Sequence, residues 1–383
     1  MKISIIFMLL AIGASCTSFT DTMPEETDAY IKYFGDTGEA FGMDIKQLPD
    51  GSLLLLGVIK NLGISTTVLI KTDVFGNILW TESYDNFEGR TLQADETGYY
   101  IMGDGINTET GRLSMKLLVT NTNGDEQSSI EIGASDLPGA SPSSDFHVHG
   151  TAFNGSGEAI GLGYIEDNGR KDELRVGFDL QGTSISVTWM ITSSGGSDFM
   201  PGRAIHPSAD GHIWTTTQTI NSNDGILVQF ARVNQTPGNS GIISGDTGKD
   251  LTPIPGGFAG IGTQAGNIFF YTTDAIGNKV KEGTWEAGTG QSVTSTSEGF
   301  VVALGLVQSD QKERTDTDFL LMKLNTASFA LPFATRLGGS GDESDGTAIQ
   351  LTDGGFAIFG TSDFQGAKSM VLIKTNKAGN LSL

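Results

Sequence analysis

Asp145-Phe-His-Val-His149 is the stretch whose residue types and spacing point most directly to chemistry. In an extended segment residues at i, i+2 and i+4 share a face, so one carboxylate and two imidazoles are expected to point together. That set suits a divalent transition metal or a general acid/base pair. A metal also needs a further ligand and support behind it, and Asp198 is the candidate donor from the neighbouring repeat. The plainer alternative is two surface histidines in an irregular loop. His206 and His212 stand at positions that other parts of the chain fill with Gln, Lys or Gly, and both read as structural. No Gly-x-Ser-x-Gly elbow and no phosphate loop occurs.

The elements that must position these residues are repeats. A turn motif recurs as Lys71-Thr-Asp-Val-Phe-Gly-Asn77, Asn121-Thr-Asn-Gly-Asp125, Thr273-Asp-Ala-Ile-Gly-Asn278 and Lys374-Thr-Asn-Lys-Ala-Gly-Asn380, with weaker copies at 178–183 and 234–239. Asp or Asn caps the turn through its side chain and Gly takes the positive-φ position that returns the chain antiparallel. A seventh copy, Lys323-Leu-Asn-Thr-Ala-Ser-Phe329, lacks the Gly. Upstream of each lies a second marker, a turn followed by a strand that ends in Gly or a small residue. Pro49-Asp-Gly-Ser-Leu-Leu-Leu-Leu-Gly57, Ser297-Glu-Gly-Phe-Val-Val-Ala-Leu-Gly305 and Thr352-Asp-Gly-Gly-Phe-Ala-Ile-Phe-Gly360 are its clearest forms. The spacing of roughly 50 residues fits a four-stranded propeller blade, and helical periodicity is absent. Small sheets that cannot each bury both faces must stack, and radial closure does this while protecting the edges. The expectation is an all-β, seven-bladed propeller. The last copy stops at Asn380-Leu-Ser-Leu383, at or just after the start of its fourth strand, whereas Ala29-Tyr-Ile-Lys-Tyr-Phe-Gly35 matches Pro332-Phe-Ala-Thr-Arg-Leu-Gly338. The N-terminal strand is therefore expected to complete the last blade.

In such a ring, the loops before the innermost strands line one mouth of the central channel, the default binding face. Here they hold Asp36, Glu39, Glu88, Arg90, Asp145, His147, His149, Asp198, Arg203, Asp246, Lys249, Asp250, Asp342, Glu343 and Asp345. Asp145, His147, His149, Asp198, Arg203, Asp342 and Asp345 form the candidate binding face, suited to a cation or a polyhydroxyl ligand. His147, His149 and Asp145 are the candidate metal donors, and a divalent cation is the one cofactor these residues suggest. The alternative is turn chemistry, with the carboxylates accepting backbone N–H bonds. Trp80, Trp189, Trp214 and Trp285 fall in strand positions that favour packing over sugar stacking. No catalytic residue is assigned.

The pattern Asp-Gly-Gly-aromatic-x-Ile-x-Gly, then Leu-Ile-Lys-Thr-Asn-x-x-Gly-Asn, with Gly-Gly-Ser-Gly-Asp before it, resembles the repeat propellers of secreted proteins and lipoproteins from Bacteroidota. The Trp-Asp dipeptide of WD40 blades and the Asp-x-Asn-x-Asp-Gly loops of integrin-type blades are missing. The resemblance implies architecture and an envelope location.

Met1-Lys2, the apolar run Ile3–Ala14 and the single cysteine, Cys16, read as a secretion signal. Gly13-Ala-Ser-Cys16 resembles the lipobox of bacterial lipoproteins, with Gly where Leu is usual, and this implies lipidation of Cys16. The expected organisation is a signal over 1–15, a flexible tether over 16–28 and a propeller over 29–383. The expected location is the outer membrane, reached across the inner membrane and held through the lipid alone. A net charge of −22, from 23 Lys and Arg against 45 Asp and Glu, repels nucleic-acid phosphates and anionic lipid surfaces. With no nucleophile motif, the leading expectation is a monomeric binding scaffold for a protein or glycan. A propeller enzyme, either a glycan hydrolase or lyase or a metal-assisted hydrolase, is the alternative.

Overall fold

The computed structural model describes residues 29–383, apart from 36–37, 109, 154–156, 182–183, 197–199, 209–210, 221–222, 232–238, 297, 312–313, 365 and 382–383. Cys16 and the expected signal and tether lie outside the described residues. The described backbone forms seven four-stranded antiparallel sheets. Six follow the chain in order, as blades 1 to 6 over 39–85, 87–132, 145–196, 200–243, 247–287 and 289–337. Blade 7 takes three strands from 343–375, and its outer strand is Tyr30–Phe34. That strand pairs with Ala367–Thr375 from Tyr30 opposite Lys374 to Phe34 opposite Met370. The ring is a seven-bladed propeller, and the two ends of the chain share one blade as the repeat match anticipates.

The core is divided among the seams. Seven clusters of buried apolar side chains each join residues of two adjacent blades. Between blades 7 and 1, Phe34, Ile349, Phe359 and Leu372 meet Ile45, Leu53 and Leu55. The central strands are therefore nearly continuous apolar runs, because both faces of every blade are covered.

The turns are built as their residues require. Asp73 accepts hydrogen bonds from the Phe75 and Asn77 amides at 2.9 and 2.8 Å, and Gly76 takes φ 74°. Asn121, Asp274 and Asn376 repeat the arrangement. Where Gly is lacking, Phe329 adopts φ 63°. Its ring packs on Trp285, with the Lys281 ammonium 4.4 Å from the ring centre, so tertiary contacts hold a conformation that the side chain disfavours.

Candidate functional site: a ring of strand bulges at the propeller mouth

The innermost strands of the seven blades stand side by side around the ring, and each has one register irregularity against its second strand. A bulge inserts an unpaired residue and re-aims its side chain. The inserted residue is Met43 in blade 1, Arg90 in blade 2, His149 in blade 3, Lys249 in blade 5, Gln291 in blade 6 and Asp345 in blade 7. In blade 4 the irregular stretch is 202–204, which contains Arg203.

The flanking residues explain the device. A Cβ on Gly42 would lie 2.3 Å from the Gly360 carbonyl oxygen of the preceding blade, and one on Gly290 would lie 2.6 Å from that of Gly262. Only glycine lets the blades approach this closely. After the bulge, Asp44 accepts from the Leu92 amide of blade 2 at 2.9 Å, and Asp250 accepts from the Val293 amide of blade 6 at 2.8 Å. These two carboxylates tie one blade to the next.

Blades 2 and 3 carry the densest polar network. Asp104, in the second strand of blade 2, is 1% exposed. It accepts from Arg90 Nε and Nη2 at 3.1 and 2.8 Å and from the Val148 amide at 2.7 Å, with His147 Nδ1 at 3.8 Å. Burial works to raise the Asp104 carboxyl, yet His147, Arg90 and the Val148 N–H together hold it below the ordinary range. The His147 ring stacks on Tyr164 with centroids 4.6 Å apart, and His149 meets the same ring at 5.4 Å. Lys171 lies 5.0 Å from the Tyr164 ring centre. Arg90 also approaches Glu88, which in turn pairs with Lys60. The result is a run of charged and aromatic groups across three blades.

The expected triad of Asp145, His147 and His149 does not form. Asp145 is taken by blade 2, accepting from Arg112 Nη1 at 3.1 Å and from the Leu113 amide at 2.9 Å. The bulge at His149 also breaks the alternation on which the shared-face expectation rested. Among the described residues no group of three or more His, Cys, Asp or Glu side chains is placed to hold a metal ion. Asp342 repeats the Asp145 device, accepting from the Thr317 amide and hydroxyl at 2.9 and 2.8 Å. Both carboxylates accept a backbone N–H from the neighbouring blade. Asp345 sits exposed at its bulge with φ 44°. Asp198 lies outside the described residues, and Arg203 is placed only as backbone.

His206 donates to the Leu251 carbonyl at 2.6 Å, and burial pushes its imidazole down to about 4. His212 is 4% exposed and likewise lowered to about 4, by burial and then by the Arg175 charge. Both are structural, as expected. Trp214 is wholly buried, with its Nε1–H donated to Glu173 at 3.1 Å, and Trp285 packs edge-on to Phe270.

Sequence reasoning missed Asp104 and Tyr164. A signal was present, since both directly follow a repeat-marker Gly, where other copies carry Val58, Leu306 or Thr361. It named Glu343 for the mouth but missed Asp318 and the burial of the two carboxyls between blades 6 and 7. Glu343, 3% exposed, stands in line with the buried Ala40, Phe87 and Phe146 of other blades. Its Oε1 accepts from Ser362 and the Gly339 amide at 3.0 and 3.3 Å, while Oε2 is buried without a hydrogen-bond partner. Burial pushes its pKa up to about 7 against those hydrogen bonds, and the negative charges of Asp318 and Asp316 add to the rise.

No known protein family matches the sequence. No curated protein is significantly similar to it. Among solved structures, the β-propeller domain of the Trilobed protease from Pyrococcus furiosus superposes with a TM-score of 0.54 at 8% identity, over 91% of this chain and all of that one. A mutant sialidase of Trypanosoma rangeli gives 0.52 at 11% identity over 79% of this chain, and an acylaminoacyl peptidase gives 0.53 at 7% identity over 88%. The chain spans 56% of that sialidase and 52% of that peptidase. At these identities the likeness establishes the propeller fold alone.

Proposed function

We propose that this protein is a non-enzymatic binding module that presents the mouth of a rigid propeller to a glycan or protein, carried on the cell envelope by a lipid at Cys16. One observation carries the binding reading. Blades 1, 2, 3, 5 and 6 each carry a one-residue bulge just after the pair made by the marker glycine, while its inserted residue changes chemistry from blade to blade. Among the inserted residues Lys249 and Asp345 are exposed, where a ligand can reach them. The start of the described chain suits an anchor. The Tyr30 hydroxyl reaches the Val74 carbonyl, in a turn on the face opposite the mouth, so the described chain begins on that face. A glycan array probed with the purified protein tests the binding reading, and loss of labelled palmitate on Cys16→Ser tests the anchor. A glycan-silent protein leaves protein binding; a Cys16→Ser protein that keeps the label overturns the lipid at Cys16.

A second reading, a glycan hydrolase or lyase, is favoured by Glu343, a buried carboxyl raised to about 7 with an unpartnered oxygen beside a second carboxyl. Such a group can donate a proton at neutral pH. Release of reducing ends from a polysaccharide panel, abolished by Glu343→Gln, would favour this reading over the first.

A further inference from the structure

We infer that a cavity between blades 2 and 3 is a subsite for a neutral saccharide, holding one or two sugar rings. The inference rests on the glycan arm of the binding reading above and gives that arm a pocket. The cavity opens on the mouth face, where the third strand of blade 2 begins and its outer strand ends, and its volume is about 450 Å³. Pockets for small organic ligands run to roughly 300–1,000 Å³, so this one suits a short end of a glycan.

The propeller does not need this cavity in order to close. Asn86 alone joins blades 1 and 2, Gly288 alone joins blades 5 and 6, and 338–342 joins blades 6 and 7. Between blades 2 and 3 the chain runs through 133–144. That long connection is folded. Asp136 accepts from the Gly133 amide at 2.9 Å, and the Ala140 and Ser144 amides donate to the Leu137 and Ser141 carbonyls at 3.1 and 2.9 Å. Ala134, Leu137 and Ala140 pack against the apolar cluster of the same seam. The loop thus forms a fixed wall beside the cavity, and a wall already ordered lowers the cost of binding.

The lining matches the surface of a sugar. Leu113, Ala140 and Pro142 supply apolar surface for the C–H face of a ring. Ser144 also lines the cavity and is 2% exposed, and its hydroxyl bonds to no described residue. A buried hydroxyl without a partner carries a cost that a ligand hydroxyl removes. Glu131, exposed on the same wall, accepts from Ser114 at 3.2 Å and pairs with Lys116 at 3.3 Å. A carboxylate has about four acceptor positions, so Glu131 can still take a sugar hydroxyl. Charge selects a neutral ligand over an anion. Arg112 and Glu131 already have counter-ions in Asp145 and Lys116, and Asp136, the remaining charge on the wall, repels anions.

The test is titration calorimetry of the full chain with the neutral disaccharides cellobiose, maltose and lactose, with glucosamine as a cationic probe and dialanine as a peptide probe. A disaccharide is expected to bind with little dependence on salt, since no ion pair forms. Glu131→Gln should weaken it about tenfold, through loss of a hydrogen bond to a charged acceptor. Ser144→Leu should abolish it by filling the cavity. Because Ser144 is buried, the exposed Glu131→Gln is the decisive variant, and an unchanged melting temperature is its control. A disaccharide that binds both variants as well as the parent chain sits elsewhere, which overturns the subsite while the binding reading stands. Preferential binding of glucosamine or dialanine overturns the ligand class. If no disaccharide binds, the inference fails, and the glycan array decides the binding reading separately.

Discussion

Asp104 Oδ2 lies 3.8 Å from His147 Nδ1 across the seam between blades 2 and 3, while Oδ1 of the same carboxylate holds the Val148 amide at 2.7 Å. One buried side chain thus braces Arg90, orients His147 and joins two sheets. Asp104→Ala is expected to destabilise the fold by about 2–4 kcal/mol, since it leaves a buried N–H without an acceptor and Arg90 without its partner. Asp104→Asn retains an acceptor for Val148 and should cost less. Urea unfolding of the two variants checks the order.

The closing strand is the second point of leverage. Phe34, 8% exposed, meets Phe359 edge-on at 6.5 Å within the seam that joins blades 7 and 1. Phe34→Ala should cost about 3 kcal/mol through lost burial and the cavity left behind. Deletion of 29–35 removes a whole outer strand and should lower the melting temperature of the entire ring, whereas deletion of 17–28 should leave it nearly unchanged. Equal melting temperatures for the two truncations would refute the closure.

Glu343 gives the ring a pH dependence of definite sign. Its carboxyl titrates near 7 in the folded chain against an ordinary value of 4.5. Between those values the folded state holds a proton that the unfolded state has released, so this contribution is complete below about 4.5 and is lost as pH rises through about 7. Asp318 and Asp316 from blade 6 and Tyr33 from the closing strand face the group, with Arg314 bonded to Asp318 at 3.3 Å. Glu343→Gln should flatten the fall in melting temperature between pH 5 and 8, a range set by the two titration points. An unchanged profile would show that Glu343 does not carry it.

A buried ion pair joins blades 3 and 4. Arg175 and Glu173, 1% and 2% exposed, pair at 3.2 Å, with Trp214 and Gln229 donating to Glu173 and the guanidinium 4.4 Å from the Trp214 ring centre. Burial pushes the carboxyl up and the guanidinium down, and each partner opposes the other's shift. Glu173→Ala should cost about 3–5 kcal/mol because an uncompensated charge stays buried. Replacing both members with apolar residues of similar volume should cost markedly less. Chemical denaturation of the single and double variants separates the two cases.

The blade count, the capped turns and the identity of the closing strand were legible because each depends on residues close together in the chain or on one copy matching another. Asp73, Asn121 and Asn376 cap turns of their own hairpins, and the strand periods are local. The site was legible only in part. His147, His149 and Arg90 stood out by type, but the carboxylate beside His147 is Asp104 from the previous blade, and Asp145 is drawn away by Arg112 and Leu113.

The sequence by itself therefore determined the repeat, the ring and how it closes, since copies of one pattern compare with each other inside a single chain. Only the tertiary structure decided which acidic residues are free to meet a ligand. That choice belongs to the seams, where amides and guanidinium groups from adjacent blades compete for each carboxylate. It also revealed the bulge at every innermost strand, a register feature that appears only when two strands are paired, and with it the ring of dissimilar side chains at the mouth.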